Sequence, residues 1–171
     1  MSEKTVKTHA DFILPPSVVS KIQLTRLVSE VERVDDAMSA AAVRKKRGLD
    51  EHVQPVMSEQ LVDFLTLNKL ELDTAPERAA LISELRKLKD SVPIIHMTFA
   101  VTTDPESLQQ IAAWLRSSVH PQAVVAVGLQ PDLVAGVYVR TPNHVHDLSL
   151  RAALEGRHDL LVSELEALRG V

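Results

Sequence analysis

The chain has 171 residues, 45% apolar and 25% charged, the balance of a soluble globular protein large enough for one ordinary domain or two small ones. A formal net charge of -4 and only three Phe, one Tyr and one Trp leave neither an electrostatic footprint nor stacking platforms for nucleic acid. The absence of cysteine excludes a disulfide framework, a thiolate nucleophile and a cysteine-ligated zinc site. The start, MSEKTVKTHADFILPP, lacks the apolar core of a secretory signal, and no apolar run is long enough to span a bilayer. Membrane association is therefore expected only indirectly, through a partner.

In chain order, residues 1-14 read as an extended leader. After "LPPS", Ser17 can accept the first free backbone N-H groups of a long helix, since no glycine or proline follows until Gly48. Leu24, Leu27, Val31, Val34, Met38 and Ala41 recur at alternating spacings of three and four and form an apolar stripe. Such a stripe ordinarily packs on sister helices. This one is longer than short neighbours need to bury, so part of it is expected to serve as a partner-binding stripe. Asp35 and Asp36 point about 100° apart on a helix, do not converge on a substrate and read as a solvated face. "RKKRGLDE" reads as a solvated helix end and turn, its cations favourable near the negative end of the helix dipole. Two shorter helices follow. "SEQLVDFLTLNKL" places Leu61, Phe64, Leu65 and Asn68 on one face, and "TAPERAALISELRKLKDSV" opens with Thr74 as cap and Pro76 in the first turn, then spaces Leu81, Leu85, Leu88 and Val92 helically.

At Pro93 the period drops from about 3.6 to 2. "PIIHMTFAV" alternates, with Ile95, Met97, Phe99 and Val101 on one face and His96, Thr98 and Ala100 on the other. Asp104 and Pro105 start a helix whose apolar face is Leu108, Ile111, Ala112 and Leu115. "QAVVAVGL", apolar on both faces, is expected to be a central strand. "PD" turns the chain into the strand "LVAGVYVR", "TPN" turns it again into a short strand "HVH", and a last helix is interrupted by Gly156. The expected fold is α+β, an N-terminal helical bundle (1-92) followed by a small mixed β-sheet domain with two helices (93-171).

His144 and His146 share one face of a strand, and by the same parity His96 is expected to join them, so three imidazoles could surround a zinc ion. The run H-x-H-D-L-S departs from the H-x-H-x-D-H spacing of binuclear metallo-hydrolases, and H-E-x-x-H is absent. Solvated or capping histidines are the plainer reading. Asp147 and Ser149, where the last strand passes into the last helix, are expected to satisfy N-H groups at that terminus. With no phosphate loop, G-x-G-x-x-G or G-x-S-x-G elbow, no catalytic, cofactor-binding or metal-ligating residue is assigned.

The stretch QPDLVAGVYVRTPNHVHDLSLRAAL resembles the C-terminal signature of the delta subunit of F-type ATP synthases, the oligomycin-sensitivity-conferring protein family. Pro131, Leu133, Val134, Gly136, Val137, Val139, Arg140, Val145, Asp147, Ser149, Arg151 and Leu154 fall in register without a gap. Ala135 replaces the first glycine of the family's pair, Pro142 replaces its turn glycine, and Ala152 and Ala153 stand where a second basic residue is common. The family's six-helix N-terminal bundle is expected here in shortened or divergent form, because only three clear helices precede the sheet. The resemblance implies a non-catalytic stator subunit without cofactor, at the crown of the catalytic head and peripheral on the cytoplasmic face of the cell membrane. The implied partners are the N-terminal segment of the alpha subunit, at the helical domain, and the C-terminal helix of the b subunit, at the sheet domain. The competing readings are a helix-binding adaptor unrelated to ATP synthase and a hydrolase with a histidine-ligated metal.

Overall fold

A computed structural model describes residues 7–48, 55–141 and 143–169. The first six residues of the leader, the "LDE" of the basic turn, Pro142 and the last two residues lie outside that range. Described residues form two compact units, Met1–Pro93 with Gln109–Val124 and Ile94–Leu108 with Val125–Val171. The change of period at Pro93 divides the sequence. Contact instead groups the second part of a later helix with the helical residues.

In the first unit, α1 (Lys21–Lys46) begins one turn later than expected. Ser20, not Ser17, is its cap: Gln23 N donates to Ser20 Oγ at 3.4 Å and Ser20 N to Gln23 Oε1 at 2.9 Å, a reciprocal capping box. The reason is a turn before the helix, closed by Val18 N donating to Pro15 O at 3.0 Å, which buries Val18 and Val19. Ser17 Oγ, left inside that turn, has no hydrogen-bond partner among the described residues. The cap of α2 (Glu59–Asn68) is Ser58, which also donates from N and Oγ to Glu30 at 2.5 and 2.6 Å. Thr74 and Glu77 form the box that opens α3 (Ala75–Ser91), with Pro76 in its first turn as expected.

Leu24, Leu27, Val31 and Val34 of α1 meet Leu81, Leu85 and Leu88 of α3 and Leu61 and Phe64 of α2 in a buried core. Burying each such side chain stabilises by roughly 1.5–3 kcal/mol relative to exposure. Asp35 is not simply solvated: its carboxylate accepts from Nε of Arg78 at 2.6 Å, and Arg78, 4% exposed, also donates to the carbonyls of Leu72 and Asp73. Truncating Asp35 would strand a buried guanidinium, which explains a carboxylate at that position.

The described part of the leader, from Lys7 on, is packed and not extended throughout, since His9–Asp11 form a 3-10 turn. Phe12 sits edge-on to Phe64 with ring centres 5.5 Å apart, and Leu14 is buried as well. Irregular backbone at such depth needs partners that no ladder supplies, and three distant side chains provide them. Asn68, 1% exposed, accepts from Ile13 N and donates to Ile13 O, both at 2.8 Å. Gln122 donates to the carbonyls of His9, Ala10 and Phe12 at 2.7, 3.2 and 3.0 Å. The Arg116 guanidinium donates to the carbonyls of Leu14, Pro15 and Val18, and burial there lowers its pKa.

Ahead of this strap a short 3-10 turn, His9–Asp11, is tied to α3 through Glu84. Lys87 Nζ donates to Glu84 Oε1 at 2.6 Å, His9 N donates to Oε2 at 2.8 Å, and the His9 ring nitrogen lies 3.0 Å from Oε2. Led by the Lys87 contact, these bonds hold the Glu84 carboxyl down to about 2 from its ordinary 4.5. Because the folded value is the lower one, this contribution is present above pH 4.5 and is lost as pH falls toward about 2. Glu84→Gln is therefore expected to flatten the fall in melting temperature across that acid window. Parallel acid profiles for parent and variant would show that the tie contributes nothing.

The second unit is a sheet in the order β2-β1-β3-β4, built from β1 (Ile94–Phe99), β2 (Val124–Leu129), β3 (Gly136–Arg140) and β4 (Val145–Ser149). Val124 N donates to Pro93 O and Gln130 N to Phe99 O, so β1 and β2 run parallel. The other pairings are antiparallel, and the sheet is mixed as expected. The helix between β1 and β2, α4 (Pro105–Ser118), starts where Ser107 N donates to Asp104 Oδ2 at 2.8 Å, and from Gln109 on it belongs to the first unit. β2 is an edge strand rather than the expected central one: after the turn at Pro131–Leu133 the chain returns beside β1, not beside β2. Val124 and Val125 are buried, while Val127 and Leu129 are about half exposed. The last helix is broken at Gly156 into α5 (Leu150–Glu155) and α6 (His158–Arg169).

Candidate functional site

The signature residues run from the turn before β3 to α5, and Gly136, Asp147 and Ser149 do backbone work where β3, β4 and α5 meet. Pro131 opens a 3-10 turn whose Leu133 is 9% exposed. Val134 follows at φ 62°, a conformation unusual for a β-branched residue. Ala135 O accepts from Leu150 N at 2.9 Å, which fastens the start of α5 to the start of β3. Gly136 has φ +97°, and a Cβ on it would lie 2.4 Å from Leu148 O and 2.8 Å from Ser149 Cα, so only glycine fits. Ala135, the family's other glycine position, carries no such constraint from a positive φ.

On the opposite strand, Asp147 Oδ1 accepts from Ser149 N at 2.9 Å and Ser149 Oγ accepts from Ala152 N at 3.2 Å. Ser149 is thus the cap of α5, while Asp147 binds the cap residue's own N-H rather than a helical one. Its carboxyl is held below the ordinary range by those Ser149 contacts. Arg151 pairs with Glu155 at 2.9 Å on an exposed helix face, Arg140 ends β3 exposed, and Leu154 is 47% exposed.

The three histidines do not gather. In register, His96 stands opposite Arg140 and Arg140 opposite Val145, whereas His146 stands opposite Val139 and Val139 opposite Met97. Directly opposed residues share a face, so His96 lies on the other side of the sheet from His146, against the parity expectation. That expectation failed because face assignment across strands needs the register, which alternation within one strand does not fix. The rings of His144 and His146 are 6.2 Å apart, and the His144 backbone closes the β3–β4 turn with Thr141: Thr141 N donates to His144 O at 2.8 Å and His144 N to Thr141 Oγ1 at 3.0 Å.

The same register carries the apolar face of β1 across β3 to Leu148, a residue that sequence reading did not single out. Ile95 and Met97 on it are buried, Phe99 and Val137 beside each other are half-buried, and Leu148, opposite Val137, is 63% exposed. Leu148 was hidden in the sequence because the short strand was read as ending at His146. Leu150, Leu154, Leu160 and Leu165 on α5 and α6 are also exposed. With Leu148 they make five leucines of β4, α5 and α6 that are open to water.

In the helical unit, the six-residue stripe divides. Leu24, Leu27, Val31 and Val34 are at most 1% exposed and belong to the chain's own core, leaving only Met38 and Ala41, half-buried, near the surface. The α3 helix takes up the inner part of the stripe, which periodicity could not distinguish from a groove for a partner. No helix among the described residues is long and apolar enough to cross a membrane.

Two comparisons bear on this arrangement. The profile of the family described as ATP synthase delta (OSCP) subunit matches residues 17–161, from the turn before α1 into α6. ATP synthase subunit delta of Proteus mirabilis (strain HI4320) is 25% identical over 171 residues, covering 92% of this chain and 93% of that protein. A match that spans both units, together with a signature whose glycine, cap and turn residues each have a backbone role in the structure, fixes the conclusion: the chain belongs to the ATP synthase delta (OSCP) subunit family, structural subunits of the enzyme's peripheral stalk.

Proposed function

We propose that the chain is a stator link, joining the catalytic head of an F-type ATP synthase to its peripheral stalk on the cytoplasmic face of the membrane, with no catalytic residue of its own. The helical domain, residues 1-92, would hold the N-terminal segment of an alpha subunit, and the sheet domain, residues 93-171, the C-terminal helix of a b subunit. The observation that carries the stalk half of this reading is the exposure of Leu148, Leu150, Leu154, Leu160 and Leu165 on β4, α5 and α6. Gly136, Asp147 and Ser149 fasten the junction of β3, β4 and α5, and Leu148, Leu150 and Leu154 beside it are exposed. Apolar area of this kind docks one side of an amphipathic helix, with affinity from burial rather than from any single bond. A stator needs two such contacts on one chain, since holding against rotor torque depends on both ends being engaged together.

Titration calorimetry with each partner helix tests the assignment. Both helices are expected to bind, and Leu148→Asp is expected to weaken the b helix roughly tenfold while leaving the alpha segment unaffected, a polar group having been placed in a contact that must desolvate. Loss of both affinities together, or of neither, would refute the division of labour.

A further inference from the structure

We propose that Val134 is an anchor side chain of the stalk contact, held out from the sheet unit by a strained turn. This rests on the stator reading and deepens its stalk half. Val134 has φ 62° and ψ -54°, and Ala135 N donates to Leu133 O across it at 2.6 Å. These are the features of a γ-turn of the rare, strained hand. A β-branched residue fits that backbone badly, because its Cβ carries two heavy atoms into the crowded side of the turn.

The turn does not need the side chain. Its hydrogen bonds, Val134 N donating to Pro131 O at 3.0 Å and Ala135 N to Leu133 O, run from backbone to backbone and would form with glycine. Two residues later, at φ +97°, the chain does use glycine. Burial gives no reason either, since Leu133 is 9% exposed and Val134 is 72% exposed. The other non-glycine residue with positive φ among the described residues, Lys69, ends α2 in the ordinary left-handed conformation and carries a side chain suited to water. Val134 alone combines a strained backbone with an apolar side chain in solvent. Strain of this kind marks positions shaped for a contact, and here neither the turn nor the core supplies one.

The partner follows from where the turn is fastened. Leu150 N donates to Ala135 O at 2.9 Å, so the residue after Val134 is tied to the first residue of α5. Val134 thus stands at the head of the helix that carries Leu150 and Leu154, both about half exposed and both assigned to the stalk helix above. A valine has one side-chain rotor, and this one sits on a backbone already fixed by two hydrogen bonds. Docking it costs little conformational entropy, the property expected of an anchor.

The test uses the full-length chain and a soluble b-subunit domain. Val134→Gly is expected to raise the melting temperature by roughly 2–4 °C, because relief of the strain exceeds the added freedom of the unfolded chain. The same variant should bind the b domain about tenfold more weakly. Val134→Ala, which keeps a Cβ and with it most of the stiffness of the turn, should also bind more weakly, and Val134→Ile should bind as the parent does. Parent-like affinity in the Gly and Ala variants, with Leu148→Asp still weakening the b domain, would overturn the anchor and leave the stator reading intact. A loss confined to the Gly variant would assign the effect to a loosened turn and equally overturn it. So would a lowered melting temperature for Val134→Gly, since the side chain would then serve the chain's own fold. A parent that dimerises through Val134, with b binding indifferent to the substitution, would give the side chain to a second copy instead. A parent that does not bind the b domain would remove both readings.

Discussion

Alanine at Gly136 is expected to destabilise the sheet unit by about 2–4 kcal/mol, among the larger effects available to a single methyl group. Two penalties act at once. The backbone at φ +97° lies where L side chains rarely go, and the new Cβ would meet Leu148 O at 2.4 Å, a backbone atom that cannot swing aside. Relief requires β3 and β4 to separate at the point where Gly136 pairs with Ser149, and Ser149 is the cap of α5. The damage should therefore spread from one ladder position to the strand pair and the helix that follows. Chemical denaturation would give the loss, and hydrogen exchange would locate it, with faster exchange for the β3 and β4 amides and little change in α1 to α3. An unchanged midpoint would mean that the close approach at Gly136 is wrongly placed.

The helical unit has its own vulnerable point in Asn68. One side chain replaces a missing ladder by accepting from Ile13 N, donating to Ile13 O, and donating again to Phe64 O at 2.9 Å. Asn68→Ala would leave the Ile13 backbone groups without these partners next to the Phe12–Phe64 contact. Buried polar groups without partners cost about 1–3 kcal/mol each, so a loss of roughly 2–4 kcal/mol is expected, with the leader released first. Limited proteolysis between His9 and Val19 should accelerate in the variant before the helices melt. Asn68→Asp separates hydrogen bonding from volume: similar in size, it retains acceptors only, and should be nearly as damaging. If Asn68→Asp behaved like the parent, the donors would not matter.

These two sites show what was legible in the sequence and what was not. Thr74 and Pro76 announced a helix start because both parts of that signal are local, and the change of period at Pro93 announced the sheet for the same reason. The start of α1 was misread as Ser17. Two serines three residues apart both precede an apolar repeat, and only the turn at Pro15–Val18 decides between them. Long-range facts were out of reach. The leader looked extended, but its burial depends on Asn68, Arg116 and Gln122, up to about a hundred residues away in the chain. The edge position of β2 and the opposite facing of His96 follow from strand order and register, which no single strand encodes. The signature from Pro131 to Leu154 was recognisable as a pattern, yet the reason for its glycine lies in a carbonyl twelve residues further on.

The central claim is mechanical, and it is tested most directly by asking whether one copy of the chain holds both partners at once. Sedimentation velocity of a head complex lacking this subunit, mixed with a soluble b-subunit domain, should show no association; adding the chain should bring b into the fast-sedimenting boundary with the head. Leu148→Asp should remove b from that boundary and leave the chain on the head. A chain that carries either partner but never both, or that carries neither, would contradict the stator account.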